Sequence, residues 1–262
     1  MIPKIIHYCW FGGKPLPVLA QKCINSWKKY CPDYEIKEWN ETNFDVLGCD
    51  FTKEAFEAKK WAFLSDYARL SIIFQEGGIY LDTDVELLKS LDFILKHKCF
   101  FAEETTGFVN TELGFGAEKG NSIIKKLLQE YEGKHFLLPD GTFDLTPCPK
   151  KNTRPLFQYG YHFSGETIWK GENIVIYPPE YFCPMDCDTR KLEVTENTIS
   201  IHHFEASWHT KLDKLIERIE KGEKKSKIYK IKRMISFPFR VVNKVRMLGI
   251  RQTLCFIREK MR

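Results

Sequence analysis

Two aspartates stand one residue apart at the end of an apolar segment, within the stretch GGIYLDTDVE of residues 77–86. Side chains two residues apart share one face of a strand, so a strand through both would aim Asp82 and Asp84 the same way. Two adjacent carboxylates repel each other unless a cation lies between them or one is protonated. The pair therefore indicates a divalent-cation site, and the alternative is an acidic turn in solvent.

Two further predicted strands end in side chains suited to ligand binding. The first strand, in IPKIIHYCWFGG, ends at Trp10 just before two glycines that let a flat ligand approach the backbone. The last strand, in NTISIHHF, ends at the adjacent residues His202 and His203. Ligands of parallel α/β sheets bind beyond the carboxyl ends of the strands. We therefore expect the acidic pair, Trp10 and one histidine to line a common site.

Strand and helix patterns alternate through the first half of the chain, which predicts an α/β fold with a mostly parallel central sheet. Apolar residues recur at helical spacing over residues 19–27 and 54–75, and Asn121 is a typical N-cap for a helix that ends before Gly133. Further strands are predicted at YEIKEWN, CFFAEE, IYLDTDV and NIVIYP. Residues 134–195 are otherwise rich in proline, glycine and aromatic residues.

The composition is that of a globular protein of the cytoplasm. The chain has 262 residues, of which 43% are hydrophobic, so it can bury a sizeable core. Its nine cysteines include no CxxC pair, which favours reduced thiols over a disulfide frame or a zinc site. The N-terminus lacks the apolar region of a signal peptide, and no run reaches the ~18 apolar residues of a spanning helix.

Charge divides the chain into two predicted domains, an acidic body of residues 1–208 and a basic tail of residues 209–262. The tail has 17 Lys and Arg against 5 Asp and Glu, whereas the body has 23 against 30. Helical apolar stripes flanked by cations predict that the tail binds the anionic inner face of the cell membrane. The alternative is a helical hairpin packed on the body or on a second subunit. The acidic body argues against a nucleic-acid partner.

Three motifs occur in the order found in a known enzyme family. The stretches IPKIIHYCWFGG, AFLSDYARLSIIFQEGGIYLDTDVE and SIHHFEASWH resemble the DXD-containing sugar-binding region of family 32 glycosyltransferases. They are also similar to the glucosyltransferase domain of large clostridial toxins. The resemblance covers roughly residues 1–208, and it implies a GT-A fold, a nucleotide-sugar donor, Mn²⁺ or Mg²⁺, and retention of anomeric configuration.

The resemblance assigns donor-binding roles to the first two motifs. Trp10 would stack on the base of the nucleotide, and the backbone around Cys9 would bond to the edge of that base. On the long helix, Ser65, Asp66 and Arg69 would hold ribose and sugar hydroxyls. An aspartate accepts from two hydroxyls, and an arginine supplies a charged fork of donors. The alternatives are a core tryptophan and an ordinary ion pair on a helix surface.

The metal-binding roles fall on the acidic pair and on the last strand. In the family pattern, Asp84 would bind the metal directly, and Asp82 would contact ribose, sugar and the metal through water. The H-x-F-x-x-S-W spacing favours His202 as a further metal ligand, whereas the spacing found in the toxins favours His203. Adjacent residues of a strand face opposite sides, so only one of these two histidines can reach the metal.

Four other residues complete the predicted donor site. Trp208 would touch the leaving diphosphate through its indole N–H, with Ser207 beside it. Tyr80 would pack near the base or ribose, or serve the core, and Asn110 would border the sugar. We name no catalytic base, because a retaining front-face transfer needs none. The residues predicted to carry catalysis are Asp66, Arg69, Asp82, Asp84 and Trp208.

Together these features predict a retaining, metal-dependent glycosyltransferase. A UDP-sugar is favoured over a GDP-sugar as donor, and the expected acceptor is a saccharide, a lipid-linked intermediate of capsular or cell-surface polysaccharide. The sequence makes no prediction of the oligomeric state. A metal-dependent phosphohydrolase is one alternative, although its nucleophilic aspartate normally lies close to the first strand. A basic-tailed nucleic-acid or membrane-binding module is the other.

Overall fold

The computed structural model describes residues 1–104, 107–163, 165, 167–186, 189–205, 211–220, 228–229 and 231–242. The chain forms two compact units. The first unit comprises residues 1–136, 145–186 and 191–205, and the second comprises residues 137–144, 187–190 and 206–262. The predicted boundary after residue 208 lies outside the described residues, so it stays a prediction.

The first unit is built from short strands and helices that alternate over much of its length. The strands are β1 Ile5–Cys9, β2 Glu35–Trp39, β3 Gly78–Tyr80, β4 Val85–Leu87, β5 Cys99–Ala102, β6 Phe115–Ala117, β7 Trp169–Lys170, β8 Val175–Tyr177 and β9 Ser200–His202. The helices are α1 Val18–Tyr30, α2 Asp50–Glu57, α3 Trp61–Glu76, α4 Ser122–Gln129, α5 Cys148–Leu156 and α6 Pro179–Phe182, with 3₁₀ turns at Asp92–Ile94 and Phe157–Tyr159.

Seven of the strands form one sheet in the order β2-β1-β3-β6-β5-β8-β7. β2 and β3 run parallel to β1, β6 is antiparallel to both β3 and β5, β8 is parallel to β5, and β7 is antiparallel to β8. Five strands therefore share one direction, and β6 and β7 run against them. The predicted α/β fold with a mostly parallel sheet is confirmed.

A second, two-stranded sheet pairs β4 with β9 in antiparallel register. Helix α1 holds β4 in place, because the buried indole N–H of Trp27 donates to the Val85 carbonyl at 2.7 Å. The hydroxyl of Ser26 accepts from the Leu87 N–H at 2.9 Å. The amphipathic helix α1 thus fixes the strand that directly follows the acidic pair.

The prediction of one strand through IYLDTDV is wrong, because the structure has two short strands there with a turn between them. β3 ends at Tyr80 and β4 begins at Val85, and a bond from the Val85 N–H to the Asp82 carbonyl closes a turn between them at 3.0 Å. The chain turns here because β4 leaves the large sheet to pair with β9. Asp82 and Asp84 therefore do not share a strand face, and their carboxylates meet different partners.

The predicted helix of residues 54–75 is two helices. The N–H of Lys60 donates to the Ala55 carbonyl at 2.8 Å, which closes α2, and Lys59 adopts a φ of 55° in the link. The Trp61 ring then packs edge-on against Phe56, with centroids 5.6 Å apart. The aromatic pair folds α3 back on α2, a contact that periodicity alone does not show.

Other predictions in the second half had mixed outcomes. Asn121 caps α4 as expected, because its side-chain oxygen accepts from the N–H groups of Ile123 at 2.9 Å and Ile124 at 3.3 Å. The NIVIYP strand appears as β8. Helix α5 was missed, because its nine residues have a proline near each end and a polar centre.

The described part of the second unit contains helix α7, Lys211–Glu220, and a helical segment over residues 231–242. No helix in the described ranges is long and apolar enough to cross a bilayer. No disulfide joins the seven cysteines that lie in those ranges.

Candidate functional site

Charged side chains from four segments meet beyond the carboxyl end of β3. Helix α3 contributes Asp66 and Arg69, and the turn between β3 and β4 contributes Asp82. Glu112 comes from the loop that leads into β6, and β9 ends at His202. The ligand atoms of Asp82, Glu112 and His202 all lie within 4.8 Å of one another.

Arg69 is the cation at the centre of this group. Its Nη2 lies 3.3 Å from Asp66 Oδ1 and 3.5 Å from Asp82 Oδ1, and its Nη1 lies 3.9 Å from Glu112 Oε1. Nη1 also donates to the Thr111 hydroxyl at 3.4 Å. The side chain is only 2% exposed, so these charges interact in a medium that screens them weakly.

The helix itself holds Arg69 in position. Its Nε donates to the Ser65 carbonyl one turn earlier at 3.1 Å, and its guanidinium carbon lies 5.1 Å from the centroid of the Tyr80 ring. The Ser65 hydroxyl donates back to the Trp61 carbonyl at 2.9 Å, so it serves the helix in this structure. Fixed by these contacts, the guanidinium offers a rigid fork to oxygen ligands.

The two carboxylates closest to Arg69 are hard to ionise together. Burial, opposed by Arg69 and assisted by the charges of Glu112 and Asp82, raises the pKa of Asp66 to about 7. Burial likewise raises the pKa of Asp82 to about 6, again against the effect of Arg69. The single positive charge of Arg69 thus does not neutralise both carboxylates.

Asp84 has a different partner, His202. Asp84 Oδ1 lies 3.2 Å from His202 Nε2, and Asp84 Oδ2 accepts from the Glu205 N–H at 2.8 Å. Burial would raise the pKa of Asp84, but the charge and hydrogen bond of His202 outweigh it and lower that pKa to about 2. Burial lowers the pKa of His202, yet Asp84, Glu112 and Asp82 together raise it to about 9.

The neighbouring histidine faces the opposite side of β9, as predicted. His203 Nε2 lies 2.9 Å from Glu86 Oε2, and the same oxygen accepts from Lys22 Nζ at 2.7 Å. Of the two histidines, the one beside the acidic pair is therefore His202. Its assignment as a metal ligand stays a prediction.

The donor set fits a divalent cation. Four carboxylates, those of Asp66, Asp82, Asp84 and Glu112, lie around one permanent cation, Arg69, so the group has an excess of negative charge that a divalent cation would offset. His202 Nδ1 is buried and has no hydrogen-bond partner among the described residues. Carboxylate oxygens with one imidazole are a suitable ligand set for Mn²⁺ or Mg²⁺.

Trp10 and Cys9 lie at the carboxyl end of β1, the strand next to β3. Trp10 is half-buried, and its indole N–H donates to the Lys14 carbonyl at 2.5 Å. Burial raises the pKa of the Cys9 thiol to about 12, so the thiol is protonated and unreactive. Gly12 follows with a φ of 91°, and a side chain there would meet the Trp61 indole at 2.8 Å.

Tyr80 and Asn110 are buried beside the charged group. Tyr80 packs under Arg69 and against the Phe115 ring, with ring centroids 5.8 Å apart. Asn110 accepts from the Glu112 N–H at 2.8 Å, and its amide group lies 3.4 Å from Glu112 Oε2 and 3.2 Å from Glu104 Oε2. Asn110 thus shapes the loop that carries Glu112.

The remaining predicted residues, Ser207 and Trp208, lie outside the described residues, and their roles stay predictions. Sequence reasoning missed Glu112, although Asn110 and Glu112 repeat the two-residue spacing of the acidic pair in the loop before β6. It also missed Cys148, whose thiol lies with Asp66 and Glu112 in a second group of possible ligand atoms within 4.8 Å of one another.

Comparison with known proteins identifies the region that carries the acidic pair. Residues 17–101 match the family described as "Glycosyltransferase sugar-binding region containing DXD motif". This range includes α3 and the turn with Asp82 and Asp84, so the resemblance predicted from the sequence is confirmed.

Two relatives and two solved structures are similar to the chain. Inositol phosphoceramide mannosyltransferase 3 of Schizosaccharomyces pombe is 26% identical over 176 residues, which are 64% of this chain and 41% of that protein. A glycosyltransferase of Acanthamoeba polyphaga mimivirus is 33% identical over 107 residues, 38% of this chain and 43% of that protein. The chain thus spans less than half the length of each relative.

The structures are similar at lower identity. The PaToxG glycosyltransferase is 20% identical with a TM-score of 0.46, over 60% of this chain and 69% of that chain. A glycosyltransferase involved in glycosylation of the major capsid of PBCV-1 is 14% identical with a TM-score of 0.43, over 78% of this chain and 95% of that chain. Over residues 17–101, this α/β chain is thus similar to the DXD-containing sugar-binding region of glycosyltransferases.

Proposed function

We propose that the protein is a metal-dependent glycosyltransferase that moves a sugar from a nucleotide-sugar donor to a saccharide acceptor. The observation that carries the proposal is the group of Asp66, Arg69, Asp82, Asp84 and His202, gathered beyond β3 within and beside the matched region. Such a group can bind sugar hydroxyls, a diphosphate and a cation at once.

Each side chain has a role that follows from its contacts. The buried carboxylate of Asp66 accepts hydrogen bonds, so it orients hydroxyl groups of the sugar. The rigid guanidinium of Arg69 holds oxygen atoms of the sugar or the phosphate. Asp82 and His202 would hold Mn²⁺ or Mg²⁺, and Asp84 would support this site from beside His202. When bound, the cation would act as a Lewis acid that neutralises the diphosphate leaving group. Asp84 fixes the orientation of His202 through the contact at Nε2.

The finer features of the reaction remain proposals. Trp10 stacks on the base, which favours a UDP-sugar over a GDP-sugar, and stacking of this kind contributes about 1–3 kcal/mol. Transfer retains the anomeric configuration through front-face attack, in which the leaving phosphate accepts the proton of the acceptor and no protein base is needed. The basic tail favours a lipid-linked acceptor at the inner face of the membrane, an intermediate of surface polysaccharide.

A turnover assay with a matched pair of variants tests the function. The purified protein is incubated with UDP- and GDP-sugars and Mn²⁺, and release of the nucleotide is measured for the wild type, Asp84→Asn and Glu86→Gln. The two acids are two residues apart, and each contacts a histidine, at 3.2 Å for Asp84–His202 and 2.9 Å for Glu86–His203. We expect Asp84→Asn to lower turnover about 100-fold, and Glu86→Gln to leave it unchanged.

Two outcomes of this assay would contradict the proposed function. Equal turnover in all three proteins would place the chemistry outside the acidic pair. Release of inorganic phosphate from simple phosphate esters, without cleavage of any nucleotide sugar, would favour the phosphohydrolase instead.

A further inference from the structure

Glu112 is the common member of two groups of possible ligand atoms. The first group joins it to Asp82 and His202, and the second joins it to Asp66 and Cys148. Within each group, the ligand atoms lie within 4.8 Å of one another. The first group includes Asp82 of the acidic pair, whereas the second includes Asp66 of α3 and the buried Cys148.

The carboxylate of Glu112 is the least firmly held of those around Arg69. The distances to the guanidinium nitrogens are 3.3 Å for Asp66, 3.5 Å for Asp82 and 3.9 Å for Glu112. The exposed fractions of the three side chains rise in the same order, at 8%, 23% and 32%. One guanidinium cannot neutralise three carboxylates, so Glu112 has the most capacity left for another cation.

The backbone of Glu112, in contrast, is fixed. Its N–H donates to Asn110 Oδ1 at 2.8 Å, and the Asn110 N–H donates to the Ala102 carbonyl at the end of β5 at 3.0 Å. Apart from Arg69, the contacts to the carboxylate come from neutral groups, the Asn110 amide at 3.4 Å and the Cys148 thiol at 3.7 Å. A loop in a fixed position thus presents a carboxylate that is free to exchange weak partners for a metal ion.

We propose that Glu112 is a direct ligand of the divalent cation, together with Asp82 and His202. The inference rests on the proposed function, and it adds a ligand from outside the acidic pair and β9. The imidazole supports this arrangement, because Asp84 engages Nε2 and leaves the buried Nδ1 for another partner. A metal-bound histidine commonly contacts a carboxylate through its second ring nitrogen.

Manganese binding without any donor isolates this role from catalysis. The full chain is titrated with Mn²⁺, and the free ion is measured by its electron paramagnetic resonance signal. The variant is Glu112→Gln, and Glu104→Gln is its control, because Glu104 Oε2 accepts from the same Asn110 amide at 3.2 Å but belongs to neither group. We expect Glu112→Gln to weaken Mn²⁺ binding about 10-fold or more, and Glu104→Gln to bind as the wild type does.

A second variant and a melting curve distinguish loss of a metal ligand from misfolding of the protein. Glu112→Asp keeps the charge but shortens the side chain, and it should also weaken Mn²⁺ binding while melting as the wild type does. Wild-type affinity in Glu112→Gln would overturn the inference. Unchanged Mn²⁺ affinity with weaker donor binding would make Glu112 a sugar contact, which refutes this inference and leaves the transferase intact. If the wild type itself bound no Mn²⁺, the proposed function would be wrong.

Discussion

At the scale of single residues, the site has more carboxylates than positively charged side chains. Arg69 is buried among Asp66, Asp82 and Glu112, and burial raises the pKa of Asp66 to about 7 despite that arginine. Buried charges are expensive to leave unpaired, so this arrangement favours binding of a further cation over stability of the empty protein.

Removal of the central cation tests that description. We expect Arg69→Met to lower the free energy of unfolding by about 3–5 kcal/mol, because two buried carboxylates lose their partner. Urea denaturation measures the change. Adding Asp66→Asn to Arg69→Met should recover part of the loss, since it removes one of the unpaired charges.

Lys22→Met is the control for loss of a cation. Lys22 bonds to Glu86 with a side chain that is 59% exposed, so its removal should cost less than about 1 kcal/mol. An Arg69→Met variant as stable as Lys22→Met would show that the buried charges do not depend on the guanidinium.

Most residues of the site could be predicted from the sequence, but the contacts between them could not. The apolar run and the repeated aspartates indicated Asp82 and Asp84, and the helical spacing placed Asp66 near Arg69. Glu112 is 43 residues beyond Arg69 in the chain, and only the return of β6 between β3 and β5 brings it to the same end of the sheet. Contacts of this kind depend on the topology and not on local pattern.

At the scale of elements, the strand ends are held by buried polar contacts. His7 on β1 accepts from the Trp39 indole N–H through Nδ1 at 3.0 Å, and its Nε2–H donates to the Gly77 carbonyl at 2.9 Å. These bonds tie β1 to the last residue of β2 and to the segment before β3. They require a neutral imidazole with its proton on Nε2.

This histidine makes stability depend on pH. Burial lowers the pKa of His7 from 6.5 to about 4, and the charge of Lys37 also lowers it, whereas the Gly77 bond and the charge of Glu76 oppose the change. Between these two values the unfolded chain binds more protons, so stability should fall as pH decreases from 6.5 to 4. The difference corresponds to about 3 kcal/mol.

Thermal or urea unfolding at a series of pH values measures that slope. The His7→Gln variant lacks this titrating group, so its free energy of unfolding should change less between pH 6.5 and 4 than that of the wild type. His135→Asn is the control, because His135 is 53% exposed, and its Nδ1 lies 2.7 Å from Glu54 Oε1. A wild-type slope in His7→Gln would exclude His7 as the titrating group.

Element types were predicted better than element ends. The strands around β1, β2, β8 and β9 and the capped helix α4 follow from period and capping residues. The turn at residues 81–84 did not, because the apolar pattern runs on from β3 into β4 although the two strands belong to different sheets. Helix α5 has no apolar period, so packing and not pattern specifies it.

At the scale of the whole molecule, exposed apolar side chains and basic residues occur together in the second unit. The helical segment of residues 231–242 exposes Ile231, Met234, Ile235 and Val242, whereas its Ser236 is buried. No acidic residue occurs in that segment. We keep the proposal that this surface binds an anionic bilayer, since an exposed apolar stripe with basic neighbours suits the membrane interface.

Vesicle sedimentation tests this proposal with exposed positions only. The triple variant Ile231→Ser, Ile235→Ser and Val242→Ser should lose most binding to vesicles with anionic lipid, and wild-type binding should weaken at high salt. The control is Val18→Ser with Leu47→Ser, two exposed apolar residues of the first unit. Equal sedimentation of the triple variant and the control would refute the bilayer as partner.

The central claim is that a cation held at the acidic turn binds the diphosphate of a nucleotide. Calorimetric titration of the full chain with UDP, in Mn²⁺ and in EDTA, tests it most directly, with Asp84→Asn alongside the wild type. The account predicts that UDP binds the wild type far more tightly in Mn²⁺ than in EDTA, and that Asp84→Asn loses this difference. Equal affinity in the two buffers, or an Asp84→Asn variant that responds to Mn²⁺ as the wild type does, would contradict it.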